Sequence, residues 1–198
     1  MKASEISSME VSCFYGCFDR NVAASMTLKE FLTDRVCANP QLRERVDKMR
    51  QYRKHTDDYD RIKRTIPCCT PSCVCEQYRA TDRVCVRNNI ICIDIDSDDN
   101  PKLLEPGVIE AVSEALYKEP HSYAVGTSCS GNGIFCIMAL SSNDDKDDFE
   151  DAFRALSEDF AKSHIIINFD IFFFQFIEFF IKLCYLRHCY IYKIFFVF

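Results

Sequence analysis

The sequence predicts an α+β fold, and two features of its second half indicate how it is arranged. A run of β-branched apolar residues at Ile90–Ile95 has the composition of a buried strand. From this strand onward the predicted order is strand, helix, strand, strand, helix and strand. That order is the split βαβ, or ferredoxin-like, arrangement, in which the first strand lies at the centre of the sheet. We expect this ferredoxin-like domain to cover residues 89–168, with residues 1–88 packed on it as an N-terminal strand and helical extension.

The first 88 residues carry the local signals of a strand and two helices. Glu10–Tyr15 has the composition of a short strand. Thr27 and Glu30 have the spacing of a capping box, which predicts a helix that runs to about residue 37. Pro40 begins a second helix, because proline suits the first helical position and apolar residues follow it at helical spacing. Those apolar residues are Leu42, Val46 and Met49.

The second helix continues into a basic segment, residues 43–64, which contains nine basic and five acidic side chains. Its balance of +4 contrasts with the formal net charge of −6 for the whole chain. One interpretation is a face that contacts nucleic-acid phosphates. The other is a solvated helix in which opposite charges pair one turn apart. If the segment binds nucleic acid, the candidate residues are Arg50, Arg53, Lys54, Arg61, Lys63 and Arg64.

Residues 66–89 connect the basic segment to the strand at 90–95. Ile66–Tyr78 is apolar and rich in cysteine, which predicts an extended segment, and Arg79–Asn89 has the composition of a polar turn. None of the cysteines between 68 and 85 forms a Cys-x-x-Cys pair, so buried thiols are a better prediction than a zinc knuckle. Residues 1–11 lack the apolar run of a secretory signal, and we therefore expect a cytoplasmic protein with reduced cysteines.

After the strand at 90–95, apolar periodicity predicts the remaining elements of the split βαβ unit. A helix begins near Pro106 and carries an apolar stripe. Strands at 122–127 and 134–140 follow, joined by a tight turn, and we expect them to form a hairpin. An amphipathic helix over 144–163 and a strand beginning at 165–167 complete the order.

Asp94 and Asp96 lie two residues apart at the end of the predicted first strand, and therefore on one face of it, which we expect to be the open face of the sheet. Two neighbouring carboxylates at the end of a buried strand need a counter-charge, because their repulsion would otherwise protonate one of them. A divalent cation with hard oxygen ligands is the usual remedy, so the pair predicts a site for Mg²⁺ or Mn²⁺. The alternatives are two side chains that emerge into water, or an EF-hand loop over 94–105 that lacks the glycine at its sixth position.

A second candidate element is the segment Ser128–Gly133, here called the glycine turn, between the two hairpin strands. Its glycines can adopt positive φ values and expose backbone N–H groups to a phosphate. The same Ser-Gly-Asn-Gly sequence also suits an ordinary hairpin turn. The candidate nucleotide-binding residues are Ser128, Ser130, Gly131, Asn132 and Gly133.

Three segments in this order, Ile66–Thr70, Ile90–Pro101 and Thr127–Gly133, resemble the VirE N-terminal-like domain family. That family occurs in Bacteroidetes and their mobile elements, often ahead of a helicase, and is similar to the archaeo-eukaryotic primase superfamily. The resemblance implies a primase-palm-like sheet in which Asp94 and Asp96 are catalytic and bind the metal ions for nucleotidyl transfer. The glycine turn would then lie against the phosphates of the incoming nucleotide. The partners that it implies are a single-stranded DNA template, nucleoside triphosphates and a helicase.

The chain departs from that resemblance in its catalytic residues. Active primases of the superfamily usually carry a His shortly after the glycine turn, where this chain has Phe135, and a third carboxylate has no convincing counterpart. The sequence also contains no Walker-type helicase motif. Two function classes therefore stay open. One is a weakly active nucleotidyltransferase of a mobile-element or phage replication system, and the other is a non-catalytic nucleic-acid-binding module on the same fold.

The last 34 residues, 165–198, differ from the rest in composition, with ten Phe, eight Ile and three Tyr. Phe, Ile, Tyr, Lys and Asn are the residues of A/T-only codons, which indicates a truncated or frameshifted domain. A membrane span is the alternative, but charged residues interrupt each apolar run before the roughly 20 residues that a span requires. We therefore assign residues 169–198 to an aberrant apolar tail and expect no firm membrane association.

Overall fold

The computed structural model describes residues 2–140 and the single position 155. Within these residues the chain is mixed α+β, with three small antiparallel sheets and helices between them. The predicted helix over 144–163, apart from its helical position 155, lies outside the described residues. The predicted strand at 165–167 and the tail at 169–198 also lie outside them.

The first sheet joins the N-terminus to the cysteine-rich segment. A short helix, α1, is followed by the strands β1 and β2, and β3 comes from the segment predicted to be extended. The strand order is β2-β1-β3, with both pairs antiparallel. The predicted strand near residue 10 is therefore confirmed, and it is the central strand of this sheet. The bounds are α1 Ala3–Ser7, β1 Glu10–Phe14, β2 Ala24–Thr27 and β3 Cys68–Thr70.

The two predicted N-terminal helices are present, and each begins at a side-chain cap. The Thr27 hydroxyl accepts a hydrogen bond from the Glu30 N–H, and the Glu30 carboxylate accepts one from the Thr27 N–H, which completes the capping box. The Asn39 side chain caps the next helix by accepting from the Leu42 N–H at 3.0 Å. The bounds are α2 Leu28–Glu30, continued by a π-helical segment Phe31–Cys37, then α3 Pro40–Met49 and α4 Asp57–Lys63.

The basic segment is therefore two helices rather than one. Residues 50–56, here called the basic loop, separate α3 from α4, and His55 in this loop has a φ of 64°. This positive φ is uncommon for a residue other than glycine. Arg50 and Lys54 both lie in this loop.

The second sheet corrects one sequence prediction. Residues 79–89, predicted as a polar turn, contain a 3₁₀ helix at Thr81–Arg83 and a strand, β5, at Val84–Arg87. This strand pairs antiparallel with β4, Cys73–Cys75. The prediction was wrong because the four residues of β5 are half-buried or exposed, so that their apolar pattern is weak, and the cross-strand partner stabilises them.

The third sheet confirms the predicted strands of the second half. Its order is β6-β8-β7, both pairs are antiparallel, and a helix, α5, connects β6 to β7. Among the described residues β6 pairs on one side, with β8. The strand predicted to pair on its other side lies outside the described residues. The bounds are β6 Ile90–Ile95, α5 Val108–Lys118, β7 Ser122–Thr127 and β8 Ile134–Ala139.

Both faces of this third sheet are covered. On one face Ile91, Ile93 and Ile95 pack in a cluster with Leu116 of α5. On the other face Ile90 and Cys92 belong to the larger core, which includes the apolar residues of α3. The face that carries Asp94 and Asp96 is therefore the one that faces the N-terminal helices, rather than an open face. Within the residues that the structure describes, no helix combines the length and apolar character needed to cross a membrane.

Candidate functional site

The two aspartates lie at the end of β6: Asp94 is the second-last residue of the strand, and Asp96 directly follows it. Asp94 and Asp96 are both half-buried, whereas the isoleucines between and before them are fully buried. Asp94 lies directly opposite Phe135 of β8 in the antiparallel register, so the two side chains are neighbours on one face. Alternation along the strand puts Asp94 on the same face as Ile90 and Cys92, which belong to the larger core. This is consistent with the predicted placement of the two aspartates on one face.

The glycine turn lies against that strand end. Its chain reversal is held by two backbone hydrogen bonds, from the Ser128 N–H to the Gly133 carbonyl at 2.8 Å and from the Gly131 N–H to the Ser128 carbonyl at 2.9 Å. The hydroxyls of Ser128 and Ser130 are 2.9 Å apart, and Ser130 Oγ also accepts from the Asn132 N–H at 3.3 Å. The candidate phosphate-binding residues thus form one compact, internally hydrogen-bonded turn.

Glycine is required at positions 131 and 133 of the turn for two different structural reasons. Gly131 has a φ of 84°, a conformation that side chains disfavour. Gly133 has no such constraint, but a Cβ on it would lie 2.7 Å from the Ile95 carbonyl oxygen and 3.4 Å from the Asp96 Cα. Gly133 therefore lets the turn contact the backbone that carries the aspartates. The two motifs that the sequence singled out are adjacent in space.

Arg50 fixes the glycine turn from the other side. Its Nε donates to the Cys129 carbonyl at 3.0 Å, and its Nη2 donates to the Ser128 carbonyl at 2.9 Å. Two donors of one planar guanidinium thus reach successive carbonyls, which fixes the orientation of the turn. Arg50, predicted as a phosphate contact, is half-buried and holds the turn.

Lys54 of the basic loop supplies a counter-charge to the aspartates. Its Nζ donates to Asp96 Oδ1 at 2.7 Å and to Asp98 Oδ2 at 3.0 Å. Burial acts to lower the pKa of Lys54, but the hydrogen bonds and charges of Asp96 and Asp98 outweigh it, and the net pKa lies above its ordinary value. The Lys54 side chain is 17% exposed and that of Asp96 is 23% exposed, so solvent screens this pair only in part.

The other predicted basic residues do not converge on the aspartates. Arg61 is exposed and pairs with Asp58 one turn away, and Arg64 lies over the Phe18 ring at 5.4 Å. Lys63 lies over the Tyr59 ring at 5.5 Å. Arg53 is exposed on the basic loop. Arg53, Arg61 and Arg64 therefore remain at the protein surface, while Arg50 and Lys54 belong to the site.

Sequence reasoning missed two residues of this region. Asp98 pairs with the same Lys54 ammonium group as Asp96. Asp98 lies three residues beyond the strand, and this position in the sequence does not predict the contact. Tyr59 of α4 is buried, and burial is the largest cause that raises the pKa of its hydroxyl. The helical spacing of Tyr59 from Ile62 predicts only a buried side chain.

Asp94 and Asp96 offer the donor set of a magnesium-type site, although the structure assembles only part of one. Among the described residues no group of three or more His, Cys, Asp or Glu side chains is placed to hold a metal ion. Mg²⁺ is commonly held by one or two carboxylates, with water and substrate phosphates as its other ligands. Asp94 and Asp96 fit that requirement, but an ion at Asp96 would have to displace the Lys54 ammonium group.

Residues 61–165 match the family model described as BT4734-like, N-terminal domain, which covers 105 of the 198 residues. The matched range includes both aspartates and the glycine turn, and it begins after Arg50 and Lys54. No curated protein sequence and no solved structure matches this chain.

Proposed function

This chain belongs to the BT4734-like N-terminal domain family, and on that premise we propose that it is a primase-palm-like domain of a mobile-element or phage replication protein. Its site binds a divalent ion and the phosphates of a nucleoside triphosphate, and it carries out nucleotidyl transfer weakly or not at all. In this proposal the chain is related to the VirE N-terminal-like family and to the archaeo-eukaryotic primase superfamily. A helicase and a single-stranded DNA template are its proposed partners.

The observation that carries the proposal is the contact between the glycine turn and the end of β6. A Cβ on Gly133 would lie 2.7 Å from the Ile95 carbonyl oxygen and 3.4 Å from the Asp96 Cα, so the turn contacts the backbone that carries the two carboxylates. Nucleotidyl transfer requires carboxylates that hold metal ions and donors that stabilise charge on the triphosphate, close to each other. The strand order β6-β8-β7 supports the ferredoxin-like part of the proposal, because it is the order of the first three strands of that fold.

Each element of the site has a distinct role in this proposal. Asp94 and Asp96 hold Mg²⁺ or Mn²⁺, which supplies Lewis-acid stabilisation of phosphate charge when bound. The glycine turn lies against the phosphates, and Arg50 keeps that turn in place through two carbonyls. With an ion held by the aspartates, the Lys54 ammonium group would pair with a phosphate oxygen instead of with Asp96.

Phe135 is the reason to expect weak catalysis. It lies directly opposite Asp94, is fully buried and offers no hydrogen-bond donor. In the primase relatives a histidine follows the glycine turn, and the loss of one transition-state donor typically costs on the order of 10²–10³ in rate.

Calorimetric titration of the full chain with Mn²⁺ tests the site. We expect Asp94→Asn/Asp96→Asn to weaken binding by more than about tenfold, because both anionic ligands are removed. Lys54→Met should strengthen binding, since the ion no longer competes with an ammonium group for Asp96. Asp82→Asn, which removes an exposed carboxylate from the 3₁₀ helix at 81–83, is the matched control and should bind as the parent does. Unchanged binding in the double variant would overturn the site.

Primer synthesis on a single-stranded template, measured on the same preparations, tests the catalytic part. We expect little or no product from the parent chain, and none from Asp94→Asn/Asp96→Asn. Robust synthesis by the parent would contradict the role given to Phe135. Metal binding without synthesis is the outcome that the proposal predicts.

A non-catalytic nucleic-acid-binding module is the second candidate function. The exposed positions of Arg53, Arg61 and Arg64 favour it, because these side chains are accessible to a phosphate backbone. If they carry binding, the affinity for single-stranded DNA should fall steeply with salt and should be lost in Arg53→Glu/Arg61→Glu/Arg64→Glu. A triple variant that binds as tightly as the parent would eliminate this candidate.

A further inference from the structure

The strand β4, which belongs to a different sheet from the aspartate strand β6, carries two thiols that lie close together. The Sγ atoms of Cys73 and Cys75 are 3.9 Å apart, and both residues are buried. Neither residue has a role in the function proposed above. We propose that Cys73 and Cys75 form a redox-active dithiol, which a hydroperoxide oxidises to an intramolecular disulfide.

The geometry of β4 brings these two side chains together. Residues two apart in a strand lie on one face and at most about 6.8 Å apart, which is within the Cα separation of disulfides. The register of the β4–β5 pair shifts between Val74 and Cys75, and such an irregularity bends the strand and turns its side chains. To reach the S–S bond length of about 2.05 Å, each sulfur needs to move by about 1 Å, which a side-chain rotation provides.

The backbone on both sides of the dithiol is held in place. The Cys75 N–H donates to Ser12 Oγ at 2.9 Å, and the Thr70 hydroxyl donates to the Cys73 carbonyl at 2.9 Å. Both partners are buried residues of the neighbouring first sheet. Because these bonds fix the main chain, the two sulfurs stay close together without a covalent link, which raises the rate of the second, intramolecular step.

The two thiols differ in acidity, and this assigns their roles. The hydrogen bond between them lowers the pKa of Cys75, and the nearby Arg79 adds to this effect, although burial opposes it. The same hydrogen bond and burial raise the pKa of Cys73. Cys75 is therefore the attacking thiolate and Cys73 the resolving thiol.

The reaction balances with hydrogen peroxide as the oxidant. The Cys75 thiolate attacks one peroxide oxygen, the O–O bond breaks, and the departing hydroxide takes up a proton to become water. The sulfenic acid thus formed on Cys75 is attacked by the Cys73 sulfur, which loses its proton as the S–S bond forms and a second water leaves. In total the two thiols lose two hydrogen atoms and one peroxide is reduced to two waters.

Differential alkylation of the full chain after peroxide treatment tests the dithiol. Thiols that remain are blocked with N-ethylmaleimide, disulfides are then reduced, and the thiols so released are labelled with iodoacetamide and located by peptide mass spectrometry. We expect the second label on Cys73 and Cys75 and an intact mass lower by two hydrogen atoms. Cys85, the exposed cysteine of β5, provides the internal comparison, and Cys85→Ser should leave the result unchanged.

Two single variants separate the attacking thiol from the resolving thiol. In Cys73→Ser the sulfenic acid on Cys75 has no partner, so a dimedone probe should label Cys75 there and not in the parent. Cys75→Ser should lose the second label entirely. Oxidation of Cys85 while Cys73 and Cys75 stay reduced in the parent would overturn the proposal, and so would oxidation of Cys73 in Cys75→Ser at the parental rate. The parent chain alone decides the question if either variant fails to fold.

Discussion

Alanine at position 133 tests how closely the glycine turn approaches the aspartate strand. The added Cβ would lie 2.7 Å from the Ile95 carbonyl oxygen and 2.9 Å from Ser128 Oγ. Ordinary van der Waals contact begins near 3.4 Å, so the turn and the strand would have to separate by about 0.7 Å. Ile95 pairs with Ile134 in the β6–β8 ladder, which leaves its carbonyl little freedom to move. Overpacking of this kind costs about 1–3 kcal/mol.

Urea and thermal unfolding, followed by circular dichroism, measure that cost. We expect Gly133→Ala to lower the free energy of unfolding by about 2 kcal/mol and the Tm by about 4–8 °C. We also expect weaker Mn²⁺ binding, since the turn moves away from Asp96. Gly107→Ala is the matched control, because Gly107 has a φ of 81° and its Cβ would meet nothing within 4 Å. It should cost about 1 kcal/mol through its backbone conformation and leave Mn²⁺ binding unchanged. A loss below about 0.5 kcal/mol in Gly133→Ala, the size of an ordinary surface substitution, would refute the close approach.

The remaining predictions concern the Lys54 ion pair and the C-terminal tail. The folded pKa of Lys54 lies above its ordinary value of 10.5, so the stability that it contributes is complete below that pH and is lost as the pH rises through the folded value. The stability difference between the parent and Lys54→Met, about 1 kcal/mol near neutral pH, should therefore shrink in urea unfolding above about pH 10.5, with the exposed Lys48→Met as control. A difference that grows with pH would contradict this sign. Removal of residues 169–198 should leave a folded domain with unchanged urea stability, because the described residues 2–140 already form two buried apolar clusters. Aggregation of the truncated chain beside a soluble parent would assign the tail to the core.

Local sequence patterns predicted much of the described secondary structure. The apolar periods of two residues in strands and 3.6 residues in helices, and the helix caps at Thr27 and Asn39, depend only on residues a few positions apart. For this reason most of the strands and helices predicted within the described residues are present. The short helix α1 and the strands β2 and β5 were not predicted, and β5 depends on pairing with its partner β4 rather than on its own pattern. The hairpin also followed from sequence, because β7 and β8 are adjacent in the chain.

Only the tertiary structure decided which charges meet at the site. Lys54 and Asp96 are 42 residues apart in the chain, and Arg50 is 79 residues from Cys129. The sequence indicated that the aspartates need a counter-charge and assigned that role to a metal ion, with the basic residues reserved for phosphates. The fold instead brings a lysine of the basic loop to Asp96 and an arginine of the same loop to the glycine turn. No local sequence pattern encodes such pairings, because the interaction energy of two charges depends on their distance in space and not on their separation in the sequence.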